Sequence, residues 1–192
     1  MHPLILVGVI VHLFGTSFYL KDTLKGKSKP NRVSFLGWAI APLIGTFIAF
    51  SEGVTWAVVP VFMAGFGPLI IFFASFVNPD AYWKLTKFDY ICGLFSLVAL
   101  VIWLSTRQAE LAIIFAIASD GFAAFPTVMK SFKFPETETG ISYVTSLLSS
   151  LTSFSAITAW SFTESAFPIY LVAMSSIFVF ALFKKKLVSL IS

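Results

Sequence analysis

Residues 109–129 read AELAIIFAIASDGFAAFPTVM, an apolar run that has Glu110 at its second position, a further acid, Asp120, near its middle and one proline, Pro126, towards its end. At 1.5 Å per residue, a helix of this length crosses the roughly 30 Å of hydrocarbon in a bilayer. An acid at that depth costs several kcal/mol unless it is protonated, paired or in contact with water. The run therefore predicts a membrane-spanning helix with a polar position close to its midpoint.

The rest of the chain repeats this pattern. Apolar runs fall at residues 3–20, 33–50, 54–77, 88–105, 109–129, 141–160 and 166–183. The chain is 58% hydrophobic and only 11% charged, whereas soluble domains are about 25% charged. This composition disfavours a soluble globular enzyme and excludes a disordered chain, and the runs lack the alternation of a β-barrel. We predict an all-α integral membrane protein with seven transmembrane helices, in which residues 3–20 are the first span and not a cleavable signal.

The basic residues predict the orientation of these spans. Of the thirteen Lys and Arg residues, twelve fall on one side of the seven-span arrangement and one, Arg107, on the other. The twelve are Lys21, Lys25, Lys27, Lys29, Arg32, Lys84, Lys87, Lys130, Lys133, Lys184, Lys185 and Lys186. The positive-inside rule then predicts a multi-pass protein of the cell membrane with its N-terminus outside and its C-terminus in the cytoplasm. Binding of an anionic ligand or lipid is the alternative use of these charges, and nucleic acid is not an expected partner.

An internal repeat divides the chain. Residues 15–38 align with residues 120–143 at an offset of 105, so that Pro30 lies opposite Pro135. At a slightly larger offset of 108, Thr55 and Pro60 match Thr163 and Pro168. We expect a first three-helix repeat (residues 1–77), a linker helix (residues 78–108) and a second three-helix repeat with a basic tail (residues 109–192). An odd linker helix makes the two repeats parallel, and transporters with such repeats bind their substrate near the midplane between the two units.

The stretch 125–142, FPTVMKSFKFPETETGIS, resembles a PQ-loop motif, with Thr127 at the position of the motif's Gln. With its three-one-three layout, the chain resembles a divergent bacterial-type member of the SWEET and PQ-loop (MtN3-like) transporter superfamily. The resemblance implies a facilitator or proton-coupled carrier that moves a small polar solute, a sugar above all, by alternating access between two triple-helix bundles. A carrier of an amino acid or vitamin, or a ligand receptor that does not transport, are the alternatives on the same scaffold.

The substrate path is predicted from polar residues inside the spans. Asp120 is the first candidate, and His12 lies at a similar depth in the first span, so the two side chains are candidates for a buried pair. A His12 side chain that bonds a backbone carbonyl or a hydroxyl instead is the alternative. Hydroxyl groups are concentrated in the sixth and seventh spans, where they either line the path or pack the helices together. The candidates there are Ser146, Ser149, Ser150, Ser175 and Ser176.

Prolines inside spans remove a backbone hydrogen bond and tend to kink the helix. Pro42 and Pro126 are the predicted hinges of the two bundles, and kinks that improve packing are the alternative.

We expect no enzymatic activity, because the spans hold no second midplane carboxylate and no Ser–His pair at suggestive spacing. We also expect no cofactor and no metal, and the sequence leaves open whether the chain forms a homo-oligomer.

Overall fold

The computed structural model describes residues 3–51, 59–106 and 108–191, and within these ranges every regular element is a helix. The seven α-helices are α1 (Pro3–Leu24), α2 (Arg32–Ser51), α3 (Val59–Ala74), α4 (Lys87–Ser105), α5 (Ala109–Lys133), α6 (Gly140–Thr152) and α7 (Phe162–Ile191). Short 3-10 turns lie at Pro79–Ala81, Pro135–Thr137 and Ser153–Ala156. The predicted all-α class with seven helices is thereby confirmed.

Three linkers meet at one end of the bundle, which we call the basic end. They are residues 25–31, 75–86 and 134–139. The Asn78 amide donates to the carbonyl of Leu24 over 3.0 Å, and the backbone N–H of Lys29 donates to the carbonyl of Thr137 over 2.9 Å. Successive helices therefore alternate in direction, and the basic linkers share one end. Arg107, expected at the opposite end, lies outside the described residues.

We call α1–α3 the N-terminal group and α5–α7 the C-terminal group. In the N-terminal group, α3 packs against both α1 and α2, and in the C-terminal group, α7 packs against both α5 and α6. Between the groups, α1 packs against α6 and α2 against α5. Helix α4 packs against α5 and touches α2.

Small residues bring the two groups close together. A Cβ atom placed on Gly15 of α1 would lie 2.9 Å from the Cβ of Thr145 and 3.1 Å from the Cα of Ser142 on α6. A Cβ placed on Gly37 of α2 would lie 2.6 Å from the Cβ of Ala123 on α5. Such contacts are closer than carbon atoms tolerate, so glycine is required where the helix backbones approach.

The sixth helix is shorter than predicted. The sequence predicts a span over residues 141–160, but α6 ends at Thr152 and a 3-10 turn follows it. The hydroxyls of Thr152, Ser153 and Ser155 each donate to the carbonyl three residues earlier. These side chains compete with the helix for backbone acceptors, which explains why a hydroxyl-rich run ends the helix early.

Among the described residues, four helices are long and apolar enough to cross a membrane: α1, α4, α5 and the part of α7 from Phe162 to Lys184. Large hydrophobic side chains cover the outside of the bundle, among them Ile10, which is 66% exposed, and Leu94, which is 60% exposed. The apolar core lies towards the basic end, where Tyr19, Phe35 and Phe178 are almost fully buried.

The close approach of α1 and α6 gives a stability prediction. Gly15→Ala places a methyl group against the backbone of α6, and we expect it to destabilise the fold by about 1–3 kcal/mol. Gly45→Ala is the matched control, because its new Cβ lies 4.0 Å from the nearest neighbouring atom, on Trp103. A glycine-to-alanine change inside a helix is otherwise stabilising by roughly 0.5–1 kcal/mol. Thermal unfolding in detergent should separate the two variants, and equal melting temperatures would contradict the packing described here.

Candidate functional site

A buried carboxylate at the basic end joins the two groups of helices. Tyr19 of α1 donates its hydroxyl to Oε2 of Glu138 over 2.6 Å, and Tyr143 of α6 donates to the same oxygen over 2.8 Å. The other oxygen, Oε1, lies 2.6 Å from Nζ of Lys130. The Lys130 and Glu138 side chains are 1% and 0% exposed. We call these four residues the basic-end cluster.

Lys130 has further partners that hold its ammonium group. Its Nζ donates to the backbone carbonyl of Lys29 and lies 3.5 Å from the carbonyl of Thr137. The same atom sits 4.7 Å from the centre of the Trp83 ring, close enough for a cation–π contact. Lys130 was counted among the lysines that set orientation. The structure instead buries it in the basic-end cluster, where an ion pair with additional hydrogen bonds offsets the cost of desolvation.

Further hydrogen bonds connect the two groups of helices at the basic end. Ser28 and Thr139 share a hydrogen bond of 2.5 Å, and Thr139 donates to a carboxylate oxygen of Asp22 over 3.0 Å. Thr127, which stands at the Gln position of the PQ-loop-like motif, is fully buried and donates to the hydroxyl of Ser34 over 2.7 Å. The basic end is therefore closed by hydrogen bonds between the N-terminal and C-terminal groups.

Asp120 of α5 faces α7. Its Oδ2 accepts a hydrogen bond of 2.6 Å from the hydroxyl of Tyr170. Asp120 is partly buried, and no other hydrogen bond is made by its carboxylate within the described part of the chain. One carboxylate oxygen is thus held by α7, and the other is free to accept from a further donor.

The predicted pair of His12 and Asp120 does not form. His12 faces α3, where a Cβ placed on Gly67 would lie 3.6 Å from its Nε2. That nitrogen is buried and has no hydrogen-bond partner among the described residues, whereas the partner of Asp120 is Tyr170. The pair is absent because each side chain turns towards the third helix of its own group.

The serines of α6 differ in their burial. Ser150 is buried and donates to the carbonyl of Leu147 within its own helix. Ser146 and Ser149 are partly buried. The face that packs against α1 includes Thr152, whose hydroxyl lies where a Cβ of Gly8 would be. Part of this hydroxyl-rich helix therefore serves packing, which was the alternative interpretation, and a substrate role for Ser146 and Ser149 stays a prediction.

The serines of α7 also differ from one another. Ser175 is partly buried. Ser176 is exposed and donates to the carbonyl of Val172, on the same exposed face as Ile169 and Phe180. Ser175 is therefore the better placed of the two for contact with the bundle interior.

Both predicted hinge prolines lie inside α-helices. Pro42 lies within α2, where its carbonyl accepts a hydrogen bond of 2.8 Å from Thr46. Pro126 is buried within α5, next to Thr127. Hinge motion at either position stays a prediction.

A cavity of about 310 Å³ opens between α2 and α4. Its walls are mainly apolar, and its polar groups include Ser96 and Ser119, which are hydrogen-bonded to each other. None of the predicted site residues lines it. Among the described residues, no group of three or more His, Cys, Asp and Glu side chains is placed to hold a metal ion.

Sequence reasoning missed Glu138, Tyr19 and Tyr143. Glu138 lies in a short polar turn, and the tyrosines lie within apolar runs, so neither type of residue stood out. The available signal was the motif itself, which places a lysine and a glutamate on either side of a tight turn.

Compared with known proteins, the chain matches no family model, no curated protein and no solved structure. Membership of the SWEET and PQ-loop superfamily therefore stays a prediction.

Because the ion pair is buried, substitutions of Lys130 and Glu138 should have strongly coupled effects on the free energy of unfolding. Lys130→Met or Glu138→Gln alone leaves a buried group without its partner, and we expect each to destabilise the fold by about 3–5 kcal/mol. The double variant removes both charges and should be more stable than the sum of the two single changes predicts. Chemical unfolding in detergent measures the three values. Lys27→Met, at an exposed lysine, is the control, and losses as small as the control's would show that the pair is not buried.

Proposed function

We propose that this protein is a membrane carrier that moves a small polar solute by alternating access between α1–α3 and α5–α7, with α4 as the linker, as in the SWEET and PQ-loop superfamily. The observation that carries this proposal is the matching arrangement of the two groups. In both, the third helix packs between the first and the second, and the first helix of each group packs against the second helix of the other.

Individual contacts support the same relation. Gly15 approaches Thr145, and Ala123 approaches Gly37. Ala123 lies 108 positions after Gly15, and Thr145 lies 108 positions after Gly37, so the two contacts are one contact repeated. Two groups related by an axis along the membrane normal are the arrangement from which parallel-repeat transporters are built.

These contacts favour the offset of 108 over that of 105. The offset of 105 places His12 opposite Ile117, and the two alignments differ by nearly one helical turn. At 108, His12 is equivalent to Asp120. His12 faces the third helix of its own group at Gly67, and Asp120 does the same at Tyr170. Two equivalent polar positions at similar depth support a solute site between the groups, with a different chemical character on each side.

The chemistry of Asp120 limits the solute. A carboxylate with one oxygen held by Tyr170 can accept a hydrogen bond from a solute hydroxyl or an ammonium group. A sugar supplies the first and is the solute that the family resemblance implies. An amino acid or a positively charged vitamin supplies the second, and the acid favours that alternative because charge-assisted hydrogen bonds are stronger.

The surface of the bundle supports insertion in a membrane. Monomeric soluble proteins rarely expose large continuous apolar patches, yet α1 and α4 present Ile10 and Leu94 among many other exposed hydrophobic side chains. With the basic end in the cytoplasm, the positive-inside rule gives a multi-pass protein of the cell membrane whose N-terminus lies outside. A homo-oligomer stays an open alternative to a single carrier unit.

Counterflow into proteoliposomes tests the proposal. Vesicles containing the protein are loaded with unlabelled glucose, sucrose, alanine, lysine or thiamine, and uptake of the same labelled compound is followed with and without a pH gradient. We expect uptake above protein-free vesicles for at least one compound, since a carrier exchanges solute across the membrane. Saturable binding without counterflow for any of them would instead assign a receptor.

Uptake of that solute by variants of Asp120 and Tyr170 then tests the role of the carboxylate. Asp120→Asn keeps the shape of the side chain but removes its charge, and we expect at least a tenfold loss of kcat/KM for uptake, which corresponds to about 1.4 kcal/mol. Tyr170→Phe keeps the carboxylate and removes only its donor, so its effect should be several-fold smaller. Wild-type uptake by Asp120→Asn at every pH would show that Asp120 neither binds solute nor couples protons.

A further inference from the structure

We propose that the basic-end cluster is a two-part latch. The hydrogen bond from Tyr19 to Glu138 is the part that breaks when the basic end opens, and Lys130 and Tyr143 are the fixed part that keeps Glu138 paired in both states. The latch rests on the proposed function, because it assumes that the two groups of helices move relative to each other.

The position of each residue along the chain separates the two parts. Lys130, Glu138 and Tyr143 all come from one continuous segment, the end of α5, the linker after it and the start of α6. Tyr19 comes from α1, in the other group. When the groups separate at the basic end, the bonds of Glu138 to Lys130 and Tyr143 stay within one moving body, and only the bond to Tyr19 crosses between bodies.

This division explains how a buried charge is compatible with movement. A buried carboxylate that loses its cation is strongly destabilised, so an ion pair split between the two groups would oppose opening. Within the described residues, the ion pair of Lys130 and Glu138 lies inside the C-terminal group. Opening therefore leaves Oε2 of Glu138 with Tyr143, and water can replace the hydroxyl of Tyr19.

The remaining bonds across the basic end fit the same scheme. Lys130 gives one bond to the carbonyl of Lys29, and the N–H of Lys29 donates to Thr137. Thr127 donates to Ser34. Each of these crossing bonds uses a backbone group or a hydroxyl of the N-terminal group, and the bond from Thr139 uses the carboxylate of Asp22. Water can solvate all of these groups when the interface opens. The Tyr19 bond differs because it is the contact that the N-terminal group makes with the buried carboxylate of the cluster.

Two tyrosine-to-phenylalanine changes test the latch as a matched pair. Tyr19 and Tyr143 are both almost fully buried, and both donate to the same oxygen of Glu138. Tyr19→Phe removes the bond that crosses between the groups, and Tyr143→Phe removes the bond within one group. Loss of either bond should lower the melting temperature, but only loss of the crossing bond should favour opening.

The readout is the reactivity of a cysteine in the interface. The native cysteine is removed by Cys92→Ala, and Ser34→Cys places a thiol at a fully buried position where Thr127 makes its bond between the groups. Purified protein in lipid nanodiscs is treated with a water-soluble methanethiosulfonate. We expect Tyr19→Phe to raise the labelling rate about tenfold or more, in line with the loss of a hydrogen bond to a charged acceptor. Tyr143→Phe should stay within about twofold of the parent, and equal rates for the two variants would overturn the latch.

This experiment separates the latch from the proposed function. Labelling needs no solute, so failure of every uptake assay together with selective labelling of Tyr19→Phe would reject the carrier and keep the latch. Uptake together with equal labelling rates would keep the carrier and reject the latch.

If Tyr19→Phe does not fold, Ser28→Cys combined with Thr139→Cys gives a second test, because the hydroxyls of Ser28 and Thr139 are 2.5 Å apart across the two groups. Oxidation to a disulfide should then stop uptake until it is reduced, and uptake that continues in the oxidised protein would also overturn the latch.

Discussion

The carboxylate of Glu138 is the constraint on which the basic end depends. A charge with no exposed surface needs a cation and hydrogen-bond donors around it. Lys130 supplies the cation, and Tyr19 and Tyr143 supply the donors. These partners come from α5, α6 and α1, so satisfying one carboxylate fixes how both groups of helices and the linker between α5 and α6 meet. The apolar core around Tyr19 and Phe178 then excludes water from the same region.

Different chemistry distinguishes the two groups of helices. His12 of α1 lies beside Gly67 of α3, whereas Asp120 of α5 accepts a hydrogen bond from the Tyr170 hydroxyl of α7. The ion pair of the basic end also belongs to the C-terminal group alone. A solute between the groups would meet a different partner on each side.

The helices could be predicted from the sequence because long apolar runs allow few alternatives. The end of α6 could not, because the hydroxyls of Thr152, Ser153 and Ser155 turn to the backbone only in a particular geometry. Asp120 stood out as an acid inside an apolar run. Glu138 did not, because a turn residue becomes buried only when another helix packs over it.

Contacts between helices were the least predictable feature. The pairing of His12 with Asp120 assumed that helices at equivalent positions face each other, but α1 packs against α6 and α5 against α2. The sequence offers two offsets for the repeat, 105 and 108, because matches in the linkers and matches further along the chain disagree by three residues. Backbone proximity at Gly15 and Gly37 favours 108, and hydropathy carries no information about it.

Movement of the two groups at the basic end is the central claim, and a distance between them measures it most directly. Spin labels at Lys27→Cys and Lys133→Cys, two exposed positions on opposite groups, can be followed by pulsed electron resonance in lipid nanodiscs after Cys92→Ala. The account predicts two populations, a short distance for the closed state described here and a longer one whose share changes with the solute that is taken up. A single narrow distance that no tested sugar, amino acid or vitamin changes would contradict it.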